Sequence, residues 1–152
     1  MDRKLFVYFV EGIKNGCNFY RIKQPASALV LRDALMCSSS SMLKDDEERT
    51  LWTDKADVIV SQCSTSEKYL DYVIDNKGKK KFVLDYDDFI FGITPYNPAY
   101  KQHGIRNVKV SLPDGSEQLM WEHGRGGFDL NENQAKLFIF TEMLKTVDLV
   151  TV

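Results

Sequence analysis

Three carboxylates stand close together in the stretch KFVLDYDDFIFG, which runs from Lys81 to Gly92. Asp85, Asp87 and Asp88 come at the end of an apolar run of the kind that forms a buried strand. Like charges at this spacing repel each other, so the cluster costs stability unless water, a cation, a hydroxyl group or a helix end relieves the repulsion. The aspartates are therefore candidates for a functional site, and their chemistry depends on the elements that position them.

Four apolar runs predict strands that are buried on both faces: residues 4–10, 56–63, 81–85 and 147–152. Helical patterns lie between them. This alternation predicts an α/β fold, namely a Rossmann-like parallel sheet flanked by helices, in a single domain over residues 1–152.

Other patterns separate these strands. Residues 107–124 alternate around Pro113, Asp114 and Gly115, which predicts a β-hairpin as an insertion after the D-x-D-D strand. The polar segment 37–52 is expected to be a loop with a short helical turn.

Three helices are expected to join the strands. Pro25 suits the first position of one helix, and Ser64 with Glu67 has the spacing of a capping box for the next. Asp129 or Asn131 is expected to cap the last helix. The apolar faces of the second and third helices are predicted to be Tyr69, Leu70, Val73 and Ile74, and Leu137, Phe140, Leu144 and Val147.

Composition limits the classes of function. The chain has 152 residues, 43% of them hydrophobic, with a net charge of −2, which argues against nonspecific nucleic-acid binding through a basic face. Its apolar runs are too short for the roughly 20 residues of a transmembrane helix. Cys17, Cys37 and Cys63 include no CxxC pair, so we expect reduced thiols in a cytoplasmic protein and no zinc site.

Ligands of an open parallel sheet bind outside the carboxyl ends of the strands. The aspartates lie at such an end, and the loop EGIKNG (11–16) follows the first strand, so the two loops are expected to face each other across a cleft. Gly12 and Gly16 would let the backbone approach a ligand, although they form no G-x-G-x-x-G dinucleotide motif.

The aspartates are expected to differ in exposure. A strand without an aqueous face should end by about Asp87, which leaves Asp87 and Asp88 exposed at the cleft. Asp85 would be enclosed and would need a donor to stay ionised, either backbone N–H groups or Arg21. Arg21 has two candidate partners, the phosphate of a ligand or the aspartates themselves.

Four further residues are candidates. Tyr20, Tyr96 and Asn97 are expected to bind a sugar-like substrate, with packing of the loops as the alternative. His123, among the glycines of WEHGRGGF, is a candidate base, with a structural role as the alternative. No metal ligands are predicted.

Two enzyme classes use a D-x-D after a strand. In a haloacid-dehalogenase-type phosphatase Asp85 would be the nucleophile and Asp87 the acid/base. That motif usually continues with a small residue and threonine, whereas Phe89 and Ile90 follow here. In a GT-A-type glycosyltransferase the D-x-D holds Mg²⁺ or Mn²⁺ against a sugar nucleotide. The nucleotide-gripping loop that opens that fold is not visible here.

Five segments together resemble another family: GCNFYRIKQPASAL, KADVIVSQ, KFVLDYDDFIFGITPYNPAY, WEHGRGGF and VDLVTV. They are similar, in this order, to the N-terminal lobe of GT-B-type glycosyltransferases of bacteria and phages, close to family four. The Y-R-I-x-x-P segment and the D-x-D-D…N-P segment are the more specific of them.

The resemblance implies a function and its site. The chain would be the acceptor-binding lobe, with Asp87, Asp88 and His123 as catalytic candidates. Its substrate-binding candidates would be Gly12, Gly16, Tyr20, Arg21, Asp85, Tyr96 and Asn97. The partner would be a carbohydrate or another hydroxyl acceptor, together with a donor-binding lobe or a second chain.

The donor and the cofactors follow from the same resemblance. A nucleotide-sugar would be bound by the donor lobe, which this sequence lacks, so the chain alone is expected to transfer no sugar and to hold no cofactor. The competing hypothesis is a non-enzymatic Rossmann module that binds a small ligand or a protein.

Overall fold

The computed structural model describes residues 5–12, 16–31, 36–41, 46–62 and 65–152, and for residues 31, 36–41 and 46–50 it describes the backbone alone. These residues fall into two compact units. The first unit comprises Met1–Asp87 and Glu142–Val152, and the second comprises Asp88–Thr141. In the described part of the chain no helix is long and apolar enough to cross a membrane.

A five-stranded parallel sheet forms the centre of the first unit. Its strands are β1 (Phe6–Glu11), β2 (Met36–Ser41), β3 (Val58–Gln62), β4 (Lys81–Asp85) and β7 (Leu149–Thr151). The strands β5 (Lys109–Ser111) and β6 (Glu117–Leu119) belong to the second unit. The strand order is β2-β1-β3-β4-β7. The predicted α/β class is confirmed, because helices connect the strands of a parallel sheet. This arrangement is consistent with a Rossmann-like fold.

The core of this unit consists of side chains from the central strands. Tyr8 in β1, Ile59 in β3 and Leu84 in β4 have no exposed surface, and Phe82 is only 1% exposed. Burial of an aliphatic or aromatic side chain of this size contributes about 1.5–3 kcal/mol. The central strands predicted from the apolar runs therefore form because both of their faces are covered. The prediction that the run 147–152 is also buried is wrong, because β7 is at the edge of the sheet and Leu149 is 55% exposed.

Two aspartates hold the beginnings of neighbouring strands. Asp57 and Phe6 exchange hydrogen bonds, since Asp57 N–H donates to the Phe6 carbonyl and Phe6 N–H donates to Asp57 Oδ2. Asp148 and Phe82 repeat the arrangement between β7 and β4. The hydrogen bond from Lys81 and the Phe82 N–H lower the pKa of Asp148, because both favour its carboxylate form.

The helical segment after β1 begins earlier than predicted. It runs without interruption through α1 (Gly16–Asn18), a π-helical segment (Phe19–Lys23) and α2 (Gln24–Leu31). The prediction that this helix starts at Pro25 is therefore wrong. A proline inside a regular helix clashes with the carbonyl four residues before it. Here the turn before Pro25 is widened, with Gln24 N–H donating to the Phe19 carbonyl five residues back, which accommodates the ring.

The segment 37–52 was expected to be a loop, and this prediction is also wrong. Its residues contribute to the strand β2 and to the helix α3 (Asp46–Lys55). All six residues of β2 pair with β1 in parallel register. Because β2 is at the edge of the sheet, its serine-rich sequence shows no apolar run.

Helix α4 (Glu67–Asn76) connects β3 to β4. Its N-cap is Ser66, so Glu67 is the first helical residue and the predicted capping box with Ser64, which lies outside the described residues, is wrong. Leu70 and Val73 are buried as predicted, but Ile74 is 53% exposed and does not belong to the buried face.

The second unit contains the predicted hairpin. Strands β5 (Lys109–Ser111) and β6 (Glu117–Leu119) pair antiparallel. The turn between them requires Gly115, whose φ is 83°. A 3₁₀ turn (Ile90–Gly92) and the helix α5 (Tyr100–His103) precede the hairpin.

Helix α6 (Leu130–Thr146) begins in the second unit, and its residues from Glu142 onward belong to the first. Asp129 caps it, as predicted: its Oδ1 accepts the Glu132 N–H at 3.0 Å. This hydrogen bond is the main cause of the lowered pKa of Asp129. On the predicted apolar face Phe140 is buried, but Leu144 is 39% exposed, so its assignment to that face is wrong.

We expect His103 to make the folded state sensitive to acid. Burial, with the positive charge of Lys136 as a smaller cause, lowers the pKa of His103 below its usual 6.5. Its Nδ1 is enclosed without a hydrogen-bond partner among the described residues, and the ring lies edge-on to Phe91. In the unfolded chain His103 takes up a proton as the pH falls through about 6.5, whereas in the folded chain it does so at lower pH.

The contribution of His103 to the free energy of unfolding should therefore be complete above about pH 6.5. It should decline as the pH falls from there to the pKa of His103 in the folded chain. Denaturant unfolding measured at a series of pH values should show a shallower decline for His103→Gln than for the wild-type chain. Parallel pH profiles for the two proteins would contradict this expectation.

Candidate functional site at the carboxyl edge of the sheet

The last residues of four neighbouring strands, β1, β3, β4 and β7, form one polar row. Asp85 is in register with Gln62 on one side and with Thr151 on the other. Glu11 and Gln62 each follow the paired residues Val10 and Ser61, which places them side by side. Side chains in register on parallel strands lie on the same face. The row is Glu11, Gln62, Asp85 and Thr151.

The helical segment after β1 packs on this face and covers part of the row. Ile22 and Ala26 are buried against Val7 and Phe9 of β1, where Leu29 also packs. This contact fixes the position of the helix over the sheet. Asn18, one turn before Ile22, and Arg21, directly before it, therefore reach the polar ends of the strands.

Arg21 holds Asp85 through two parallel hydrogen bonds. Its Nε donates to Oδ2 at 2.8 Å and its Nη2 donates to Oδ1 at 2.7 Å. Thr151 Oγ1 also donates to Oδ1 of Asp85, at 2.6 Å. Asp85 is 5% exposed. The expectation that Asp85 is enclosed and has Arg21 as its donor is confirmed.

The same guanidinium also neutralises Asp87. Asp87 Oδ1 lies 2.6 Å from Arg21 Nε as an ion pair, while the directed hydrogen bond of that N–H goes to Asp85. Strand β4 ends at Asp85, as predicted, and the Tyr86 N–H pairs with the Thr151 carbonyl. The repulsion between the two carboxylates is thus relieved by one shared cation.

A second buried carboxylate lies at the end of β1. Asn18 Nδ2 donates to Glu11 Oε2 at 3.0 Å, and both residues are buried. Lys23 Nζ is 3.8 Å from Glu11 Oε1 and its side chain is 48% exposed. The sequence analysis missed Glu11 and Asn18, although Glu11 shows the same signal as Asp85, a carboxylate at the end of a buried strand.

Gly12 directly follows β1, whose neighbour in the sheet is β3. The chain leaves β1 toward β2 and leaves β3 toward β4, so the connections run in opposite directions. Such a switch point is where ligands bind in open α/β sheets. A Cβ at Gly12 would lie 2.6 Å from the Gln62 carbonyl oxygen, so this glycine is required by the approach of β3. At Gly16 no described atom lies within 4 Å of such a Cβ.

Gln62 lies in the row between Glu11 and Asp85. It is 3% exposed, and its Oε1 accepts no hydrogen bond from the residues that the structure describes. A buried acceptor without a partner costs about 1–3 kcal/mol, so it needs an explanation. The sequence analysis did not single out this residue.

Tyr20 precedes Arg21 and faces solvent. It is 67% exposed, and the adjacent Phe19, which is 54% exposed, meets its ring edge-on at 5.3 Å between centroids. Exposed aromatic rings at the margin of a polar site are suited to the apolar faces of sugars.

The remaining candidates belong to the second unit. Asp88 and Tyr96 are exposed. Asn97 Oδ1 accepts the Ala99 N–H, which organises the local turn. His123 Nδ1 accepts the N–H of the first residue of α6 at 3.2 Å, and its side chain is 52% exposed. The structure thus brings together Arg21, Asp85 and Asp87, and the roles of all the candidates stay predictions.

In the described ranges no three His, Cys, Asp or Glu side chains are grouped so that they could hold a metal ion. Cys17 is exposed, while the Cys37 side chain and Cys63 lie outside the described residues, so the thiol prediction stays a prediction.

Comparison of the chain with known protein families, with curated proteins and with solved structures found no match. The case for a function therefore rests on the resemblance of the five sequence segments and on the geometry of the polar row.

Proposed function

We propose that the chain is the acceptor-binding, N-terminal lobe of a GT-B-type glycosyltransferase resembling family four. Together with a donor-binding lobe, it takes part in transfer of a sugar from a nucleotide-sugar to an acceptor hydroxyl. The observation that carries the proposal is the polar row at the carboxyl edge of the sheet, with Arg21 paired to Asp85 and Asp87.

The place and the chemistry of the row both support this function. The row crosses the switch point of the sheet, where α/β proteins bind ligands. Its carboxylates are acceptors for hydroxyl hydrogens, and the exposed Tyr20 directly precedes Arg21, which binds Asp85. Desolvation offsets most of the attraction within a buried ion pair, so a gain in stability does not by itself account for this row, and a binding role does.

The two aspartates would divide the work. Asp85 has both oxygens engaged by Arg21 and Thr151, so it positions the guanidinium. The side chain of Asp87 is 21% exposed, against 7% for Asp85, and is the more accessible of the two. Asp87 would orient an acceptor hydroxyl or take its proton as the hydroxyl attacks the anomeric carbon. Asp88, Tyr96, Asn97 and His123 stay candidates for further contacts with the acceptor.

The engaged oxygens of Asp85 also bear on the other enzyme classes. A phosphatase nucleophile needs a carboxylate oxygen directed at its substrate, whereas both oxygens of Asp85 accept hydrogen bonds from the protein. A GT-A-type site needs carboxylates directed at a metal, but Arg21 takes the place of a cation between Asp85 and Asp87.

Amide shift mapping by NMR tests the proposal. We expect neutral saccharides to shift the amide signals of residues at the strand ends, including Glu11, Gln62 and Asp87. Sugar nucleotides should neither bind there tightly nor release nucleoside diphosphate when mixed with the purified chain. The proposal fails if no saccharide shifts these amides, or if the chain alone turns over a sugar nucleotide.

A metal titration separates the proposal from the GT-A alternative. Because Arg21 already neutralises the aspartates, Mn²⁺ and Mg²⁺ should bind only weakly to the wild-type chain. Titration calorimetry measures this directly. A stoichiometric metal site of micromolar affinity that disappears in Asp87→Asn would favour the GT-A hypothesis instead.

A further inference from the structure

Among the described side chains of the row, Gln62 has a buried acceptor oxygen that no hydrogen-bond donor reaches. Glu11 accepts a hydrogen bond from Asn18, and Asp85 accepts hydrogen bonds from Arg21 and Thr151. Gln62 lies between these two groups with a buried Oε1 that accepts no hydrogen bond within the described ranges. A molecule bound at the switch point with an O–H or N–H group directed at Oε1 would satisfy this acceptor.

The charges around Gln62 restrict that molecule. Three carboxylates, those of Glu11, Asp85 and Asp87, lie at this edge of the sheet. Arg21 is bound by two of them, and Lys23 lies 3.8 Å from the third with a largely exposed side chain. The guanidinium is therefore already bound by the protein, and the described side chains of this edge keep an excess of negative charge.

We propose that Gln62 is a specificity-determining residue that accepts a hydrogen bond from a hydroxyl or amino group of the acceptor, and that the site selects neutral or cationic acceptors over anionic ones. This inference rests on the proposed function and narrows its substrate class to polyols, neutral sugars and amino sugars. Phosphorylated and carboxylated sugars are disfavoured by the three carboxylates.

Three probes with the same ring test the charge preference: methyl α-glucoside is neutral, glucosamine below neutral pH is cationic, and glucose 6-phosphate is anionic. Binding to the purified chain is followed by the amide shifts of the strand ends. We expect the neutral and cationic probes to bind at least about tenfold more tightly than the phosphate. Equal or tighter binding of glucose 6-phosphate overturns the inference.

Substitutions at Gln62 test its role. Gln62→Met keeps the shape but removes the acceptor, so binding of methyl α-glucoside should weaken about fivefold. The thermal unfolding midpoint should stay the same or rise, because an unsatisfied buried group is removed. Gln62→Glu keeps an acceptor oxygen and adds a negative charge, so glucosamine should bind at least as tightly as it binds to the wild-type chain. Gln118→Met, a matched change at an exposed position of β6, should alter neither quantity.

Unchanged binding in Gln62→Met overturns the inference, and so does a loss of glucosamine binding in Gln62→Glu. Both outcomes leave the proposed function standing, since saccharides would still bind at the strand ends. If no probe shifts those amides in the wild-type chain, the proposed function and the inference fail together.

Discussion

Replacement of Asp85 by asparagine is expected to lower the free energy of unfolding by about 3 kcal/mol. The side chain of Asp85 is 7% exposed and that of Arg21 is 28% exposed, so solvent does little to screen their interaction. Asparagine has the same shape, but its amide group faces the guanidinium with N–H donors or a neutral oxygen. The substitution therefore takes from a largely buried cation the carboxylate that binds it through two hydrogen bonds.

Asp88→Asn is the matched control, because it makes the same chemical change at an exposed position of the same motif. It should change the unfolding free energy by no more than about 0.5 kcal/mol. Denaturant unfolding of both variants measures the difference. If Asp88→Asn is the destabilising change and Asp85→Asn is silent, the position assigned to the ion pair is wrong.

Arg21→Met provides a second control on the origin of the loss. If the pair with Arg21 accounts for the effect, Asp85→Asn should cost less in the Arg21→Met background than in the wild-type chain. The two changes should be coupled by at least about 1 kcal/mol, as expected for groups in direct contact. Additive effects would show that Asp85 acts through other partners.

The sheet was predictable because its central strands are buried on both faces, which leaves continuous apolar runs in the sequence. Strand β2 was not, because an edge strand is held by backbone hydrogen bonds that any sequence can make. The start of the first helix was missed because its first turns show no helical pattern of apolar residues. Phe19 and Tyr20 are exposed, so the π-helical segment shows no apolar periodicity, and Pro25 looks like a beginning.

The candidate site was predictable where a local rule sufficed. Asp85 follows a buried strand, so it had to be enclosed and to need a donor, and Arg21 is that donor. Glu11 and Gln62 were missed because one polar residue at the end of an apolar run looks like the end of a strand. Their alignment with Asp85 comes from the register between strands that are distant in sequence.

Asn133 in the second unit is a buried residue whose side-chain amide group donates two hydrogen bonds. It is 1% exposed, and its Nδ2 donates to the carbonyl oxygens of Lys101 and Gly104, each at 3.0 Å. These carbonyls are at the end of α5, where no helical N–H is left to satisfy them. One amide group of α6 thus ties α5 to α6 through both of its hydrogens.

Asn133→Asp is expected to lower the free energy of unfolding by about 3–5 kcal/mol near neutral pH, because it directs a buried carboxylate at two carbonyl oxygens and removes both donors. The position near the beginning of α6 offsets about 0.3–1 kcal/mol through the helix dipole, which is too little to compensate. The pKa of the new carboxyl should be raised by burial, so the loss should shrink as the pH falls and the group becomes a donor again.

Asn131→Asp, the same change at an exposed position of the first turn, should be neutral or slightly stabilising. Denaturant unfolding of both variants at neutral and acidic pH measures these effects, and a loss that is equal for the two variants, or that grows in acid, would contradict the role of Asn133.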